Sequence, residues 1–110
     1  MHRLSALLIT AASLPFSTAW ADPGHDAVKN LGSLNGVALA CRYSHEVSRM
    51  KAAVVANAPK ERSYGIAFDE STNTAFLTFV EQQSVCPSRT RFSGRVDVAI
   101  EEMAAAFGNP

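Results

Sequence analysis

The sequence is poor in the residues that metal and redox sites need. Its 110 residues contain three histidines and two cysteines, and the cysteines, Cys41 and Cys86, lie far apart in the chain. Thiol redox sites use cysteines two residues apart, covalent haem needs a Cys-x-x-Cys-His run, and structural zinc needs three or four suitably spaced ligands. None of these patterns occurs in the sequence. We therefore predict no metal site and no cofactor.

Patterns typical of catalytic residues are also missing. No serine lies in a Gly-x-Ser-x-Gly turn, and no glycine-rich phosphate-binding loop is present. The carboxylates Asp69 and Glu70 are adjacent, as are Glu101 and Glu102. Adjacent side chains on a helix point about 100° apart, so neither pair converges on a substrate. We predict no catalytic residue and a non-enzymatic role.

An excess of charge of one sign is absent as well. Lysine and arginine number 10, aspartate and glutamate number 10, and the formal net charge is zero. Non-specific nucleic-acid binding depends on a basic surface, so we expect no nucleic-acid partner. Beyond the first part of the chain no apolar run approaches the roughly 20 residues that span a bilayer. We expect no membrane span in the mature protein.

The chain begins with the pattern of an export signal. A positively charged start at residues 1–3 is followed by an apolar stretch over residues 4–16 and by the small-residue motif Ala-Trp-Ala at 19–21. This order of features is typical of a cleavable secretory signal. We predict a signal peptide over residues 1–21 and a single helical domain over residues 22–110, located in the periplasm or secreted.

Export makes a disulfide between Cys41 and Cys86 the natural state of the two cysteines. Both lie in the exported part of the chain, and small domains in oxidising compartments use such pairs as structural bonds. The chain-entropy model assigns about 4 kcal/mol to a loop of this length. That contribution is large beside the few kcal/mol that a core of this size provides.

Hydrophobic periodicity predicts four helices, of which the first covers about residues 26–42. Its glycines and alanines give it a weak helix propensity, so we expect it to pack tightly against a neighbouring helix. The second helix is expected to have Ser44 as its capping residue and to end before Pro59. The apolar stripe of the first helix is Val28, Leu31, Leu34, Ala38 and Cys41. That of the second helix is Val47, Met50, Val54 and Ala58.

The third segment, at about residues 61–83, fits either a helix or a hairpin of residues 63–68 and 74–80. We favour the helix because an isolated two-stranded ribbon is only marginally stable. The fourth helix ends at Gly108, a left-handed cap, with Pro110 beyond it. The stripe of the third segment is Tyr64, Phe68, Thr72, Ala75, Phe76 and Phe79, and that of the fourth helix is Phe92, Val96, Ala99, Ile100, Met103 and Phe107.

The predicted fold is therefore an all-α, four-helix up-down array. Because short connections make successive helices antiparallel neighbours, the end of the first helix and the start of the fourth meet at one end of the bundle. Cys41 and Cys86 occupy those two places. The disulfide prediction and the helix prediction thus agree.

Four arginines are candidate binding residues. Arg89, Arg91 and Arg95 lie in the first part of the fourth helix, where the helix dipole favours acidic residues, and Arg42 belongs to the same end of the bundle. Together they predict an anion-accepting patch. The alternative, which we favour, is that Glu81 pairs with one of these arginines across the short turn and that the others are simply solvated.

The phenylalanines leave a similar choice open. They fit a compact core, which a small domain needs, or a groove for a lipid or a client chain. The residues concerned are Phe68, Phe76, Phe79, Phe92 and Phe107.

These observations favour a small exported binding or accessory protein that acts through protein-protein contact: a chaperone-like protein, an inhibitor or immunity protein, or a subunit of an envelope complex. Its short, helical, single-disulfide outline is similar to that of the acid-activated periplasmic chaperones, a likeness of architecture. The alternative is a small periplasmic enzyme or ligand-binding protein with a site around His45, Glu46 and Arg49 on the second helix. The sequence does not indicate an oligomeric state.

Overall fold

The computed structural model describes residues 22–109, which fold into four α-helices joined by short connections. The predicted signal peptide, residues 1–21, lies outside the described residues. No strand occurs within residues 22–109, so the all-α prediction is confirmed and the ambiguous third segment is a single helix. No helix in this part of the chain has the length and apolar character to cross a membrane. The helices are α1 (Pro23–Ala40), α2 (Ser44–Asn57), α3 (Arg62–Glu81) and α4 (Arg89–Ala106).

Side-chain caps fix the starts of α1 and α4. The Asp22 carboxylate accepts a hydrogen bond from the backbone amide of His25 at 3.1 Å, and Ser88 Oγ accepts one from the amide of Arg91 at 3.2 Å. The prediction that Ser44 caps α2 is wrong, because the capping position is Tyr43, whose side chain makes no capping hydrogen bond. The Tyr43 amide instead donates to the carbonyl of Ala38 at 2.8 Å, so the end of α1 determines where α2 begins.

Three helices end in a left-handed residue. Gly108 has φ +74°, as predicted, and the same place after α1 and α3 is taken by Arg42 (φ +60°) and Gln83 (φ +51°). In each case the backbone amide of the next residue donates a hydrogen bond to a carbonyl oxygen near the end of the helix. These carbonyls have no partner within the helix itself. α2 ends differently, since Ala58 is extended before Pro59, as expected for a residue that precedes proline.

α1 is the central helix of the fold. It contacts each of the other three helices; α2 and α4 also contact each other, whereas α3 contacts α1 alone. The pairs α1/α3 and α2/α4 run parallel, and the two pairs run in opposite directions, as in an up-down array. Cys41 and Cys86 are bonded with their Cα atoms 5.7 Å apart, which confirms the predicted disulfide between the end of α1 and the residues before α4.

The core follows the predicted stripes of α1 and α4 closely. Every apolar stripe residue of these two helices is buried or half-buried. In α1 the intervening residues Gly32, Asn35 and Gly36 are buried as well, because they face α3. α3 contributes little to the core, since Ala67 and Phe68 are its buried residues. The largest fully buried apolar side chains are Phe92, Leu31, Met50, Met103, Val28 and Val96.

Glycines bring α1 and α3 into close contact. A Cβ atom on Gly32 would lie 2.8 Å from the carbonyl oxygen of Phe68, and one on Gly36 would lie 2.7 Å from the backbone amide nitrogen of Phe76. Real Cβ contacts are essentially never this short, so only glycine permits this approach. The tight packing expected from the small residues of α1 is therefore confirmed, and α3 is the helix that receives it.

Candidate binding groove

The four predicted arginines lie on different surfaces of the fold. Arg89 lies over the ring of Tyr43, with the guanidinium carbon 4.6 Å from the ring centroid. Residues two positions apart on a helix point about 200° apart, so Arg91 faces away from Arg89 and shares its face with Arg95. Arg42 occupies the left-handed turn after α1 and is exposed. The arginines thus do not form one continuous patch.

None of these arginines forms an ion pair within residues 22–109, where both salt bridges involve Arg49. The predicted alternative, a pair between Glu81 and one of the arginines, is not present in the structure. The positive charges of Arg91 and Arg95 therefore have no carboxylate within 4 Å in the described part of the chain.

Arg91 and Arg95 line a groove formed by α1, α3 and α4, which we call the arginine groove. It consists of two adjoining cavities of about 460 and 370 Å³ that share Asn30, Leu34 and Arg95. The groove exists because α3 packs on α1 without reaching α4. Apolar residues from all three helices line it: Leu34, Val37, Ala75, Phe79, Val98 and Ala99.

Polar groups from three segments also line the groove. α1 supplies Ser33, α3 supplies Thr74 and Thr78, and the connection to α4 supplies Ser84. Their hydroxyls can donate or accept hydrogen bonds. Glu102 is the one carboxylate that lines the groove, and it belongs to the cavity that also contains Arg91. The combination of an apolar surface, hydroxyls and unpaired guanidinium groups suits a partner that has both apolar and acidic groups.

The phenylalanines divide between the core and the grooves. Phe68 and Phe92 are buried, as the core interpretation predicts. Phe76, Phe79 and Phe107 are only half-buried, and Phe79 lines the arginine groove. Each of the two interpretations therefore applies to part of the set.

A separate cavity of about 530 Å³ lies between α2 and α4, and residues of the predicted alternative site line it. His45, Glu46, Ser93 and Asp97 line it. Arg49, the third residue of that alternative site, bonds Glu46 Oε2 at 2.9 Å, the carboxylate of Asp97 and the backbone oxygen of Ser93. Arg49 therefore ties the two parallel helices together.

The acidic partners of Arg49 stabilise its charged form. Burial alone would lower the pKa of Arg49, but hydrogen bonds and the charges of Asp97 and Glu46 outweigh burial and raise its pKa. Glu46 is 8% exposed, so its negative charge is compensated by Arg49 rather than by water. Glu46 and Arg49 thus belong to the contact between α2 and α4, while His45 is exposed at the rim.

The described residues offer no assembled metal centre. No group of three or more His, Cys, Asp or Glu side chains in this part of the chain is placed to hold a metal ion. Both cysteines are consumed by the disulfide.

Sequence reasoning missed two structural features, the Arg49 network and the burial of Asn35. The spacing of Glu46 and Arg49, three residues apart on a helix, indicates their pairing. Asn35 lies four residues after Leu31 and three before Ala38, at the edge of the apolar stripe of α1, and its burial depends on the packing of α3 there.

Comparison of the chain with protein-family models, with curated proteins and with solved structures finds no match. The site is therefore interpreted from its own chemistry.

Proposed function

We propose that the protein is exported to the periplasm or secreted, loses residues 1–21, and acts there as a small binding or accessory protein. Its partner is a protein of the same compartment, which it holds through a segment carrying apolar and acidic side chains. The disulfide supports this location, because such bonds persist in oxidising compartments.

The observation that carries the proposal is the pair Arg91 and Arg95 on the wall of an apolar groove. The two residues are one helical turn apart and share one face of α4, so they present two guanidinium groups to the same ligand. Guanidinium groups bind carboxylates with two parallel hydrogen bonds, and they are common at protein interfaces. An acidic segment laid in the groove would provide carboxylates to Arg91 and Arg95, which form no ion pair within residues 22–109.

The apolar part of the groove supplies the second half of the recognition. Val98 is 53% exposed and Phe79 is half-buried, so both have apolar surface that a partner can cover. Burying such surface contributes about 25 cal/mol for each Å² removed from water. The charges would then set the orientation of the segment and the rate of association.

Site-specific crosslinking tests this function. A photoreactive residue in place of Thr78, which lines the groove, should crosslink in cells to one exported protein and give a 1:1 adduct. Mass spectrometry of the crosslink should locate a segment that contains Asp or Glu beside apolar residues. The corresponding synthetic peptide should bind the purified protein with an affinity that falls as salt increases.

A charge-matched control separates the groove from general electrostatics. Arg91→Gln combined with Arg95→Gln should abolish the crosslink and peptide binding, while Lys60→Gln combined with Arg62→Gln, the same loss of charge at the other end of the bundle, should retain both. Equal binding by the two double variants would refute the proposal.

A further inference from the structure

A cavity on the opposite side of α3 from the arginine groove has its own polar centre. It lies between α2 and α3, over the surface of α1, and has a volume of about 510 Å³. The cavity exists because α2 and α3 do not contact each other. Its size is within the range of cavities that bind small molecules.

The polar centre of this cavity is Asn35, which is 1% exposed. Its Nδ2 donates a hydrogen bond to Thr72 Oγ1 at 3.2 Å, and both residues line the cavity. Its Oδ1 is the one buried side-chain nitrogen or oxygen without a hydrogen-bond partner among the described residues. Buried polar atoms are nearly always satisfied, so this acceptor indicates a donor that residues 22–109 do not provide.

A second acceptor lines the same cavity. Asp69 lines the cavity and precedes Thr72 by three residues on α3, so the two lie on the same face of that helix. Asp69 forms no ion pair within residues 22–109. The carboxylate and the Asn35 amide oxygen together suit an ammonium group, which has three hydrogen-bond donors and a positive charge.

The remaining lining residues divide by chemistry. Lys51 reaches the cavity from α2, the wall opposite Asp69, and it is likewise unpaired in the described part of the chain. Leu39 lies one turn after Asn35 on α1, and Phe76 lies one turn after Thr72 on α3. Because α1 and α3 run parallel, Leu39 and Phe76 lie at the same end of the cavity. The cavity therefore has a polar end with both signs of charge and an apolar end.

We propose that this cavity binds a free α-amino acid with a large apolar side chain. The ammonium group of the ligand binds Asp69 and, once the Asn35 side chain rotates to expose its buried Oδ1 to the cavity, the amide oxygen of Asn35. The carboxylate of the ligand binds Lys51, and its side chain packs against Leu39 and Phe76. This site is independent of the arginine groove, so either proposal can fail without the other.

Titration of the ¹⁵N-labelled protein with L-phenylalanine tests the site by NMR. The expected result is a saturable shift of the Asn35 side-chain amide and of the backbone amides around Thr72 and Leu39, with a dissociation constant of roughly millimolar or tighter. Phenethylamine, which lacks the carboxylate, and hydrocinnamate, which lacks the ammonium, should each bind about tenfold more weakly or worse, since each loses a charge-assisted hydrogen bond.

Exposed charges allow variants that leave the core intact. Asp69→Asn and Lys51→Gln should each weaken binding by about tenfold, whereas Asp26→Asn and Lys29→Gln, exposed charges on α1 away from the cavity, should bind as the unaltered protein does. No saturable shift at any soluble concentration would overturn the proposal. So would shifts confined to residues outside the cavity, binding of either half-ligand as tight as that of L-phenylalanine, or equal effects of both variant pairs.

Discussion

The contact between α1 and α3 gives the sharpest prediction, because a single methyl group tests it. In Gly36→Ala the new Cβ would lie 2.7 Å from the backbone nitrogen of Phe76 and 2.8 Å from the Cβ of Ala75. The nearest atoms include α3 backbone, which cannot rotate away as a side chain can. α3 must therefore move outward, and the Asn35 to Thr72 hydrogen bond across the same contact must lengthen.

The expected loss follows from overpacking. Extra methyl groups in a well-packed interface cost about 1–3 kcal/mol, and we expect Gly36→Ala to reach the middle of that range. Gly94→Ala is the matched control, since Gly94 is also inside a helix but a Cβ there meets nothing within 4 Å. Alanine is a better helix former than glycine by about 1 kcal/mol, so this control should gain stability.

Thermal and urea unfolding of the oxidised protein, followed by circular dichroism, measure both variants. For a domain of this size each kcal/mol shifts Tm by about 4–8 °C, so the two variants should be separated by about 10 °C or more. Gly32→Ala should behave like Gly36→Ala, because its Cβ would lie 2.8 Å from the carbonyl of Phe68. If Gly36→Ala unfolded at the temperature of the unaltered protein, the close packing of α1 on α3 would be refuted.

Three further predictions concern other contacts. Replacing both cysteines by serine should lower the free energy of unfolding by about 4 kcal/mol in urea titrations, given a sequence separation of 45 residues, and an unchanged midpoint would contradict a structural role. Arg49→Met leaves the buried carboxylate of Glu46 without its cation, and should cost about 1–3 kcal/mol in the same assay; a neutral result would show that the network is not stabilising. Burial, Asp22 and Glu61 raise the pKa of Tyr64 above 10.0, so the folded state holds this proton more tightly than the unfolded state. Stability should therefore fall as pH rises above 10.0, and Tyr64→Phe should reduce that fall in urea midpoints measured across the alkaline range.

Much of the fold was predictable because it depends on local periodicity. The stripe from Phe92 to Met103 recurs every three or four residues, and a helix places such residues on one face whatever they pack against. The left-handed Gly108 and the end of α2 before Pro59 follow from the backbone preferences of single residues. The disulfide followed from the location of both cysteines in the exported part of the chain.

The features that were not predicted depend on which helices meet. The burial of Asn35 follows from the choice of α3 as the partner of α1, which the stripe of α1 alone does not specify. The bond from Arg49 to Asp97 joins residues that are far apart in the chain but adjacent across a parallel helix pair. The separation of Arg89 from Arg91 is the exception, because the angle between positions two apart on a helix is sufficient to predict it.

The disulfide also determines how the chain responds to mechanical force. Cys41 and Cys86 close a covalent ring that contains all of α2 and α3, while α1 and α4 leave the ring from the same point. Tension applied between the two ends of the chain passes through the sulfur atoms and bypasses residues 42–85. A protease cut in the exposed connection at residues 59–61 would open the ring but leave both pieces covalently joined. Residues 42–85, which include the α2 and α3 walls of the cavity at Asn35, therefore remain attached through pulling or through a cut in this connection.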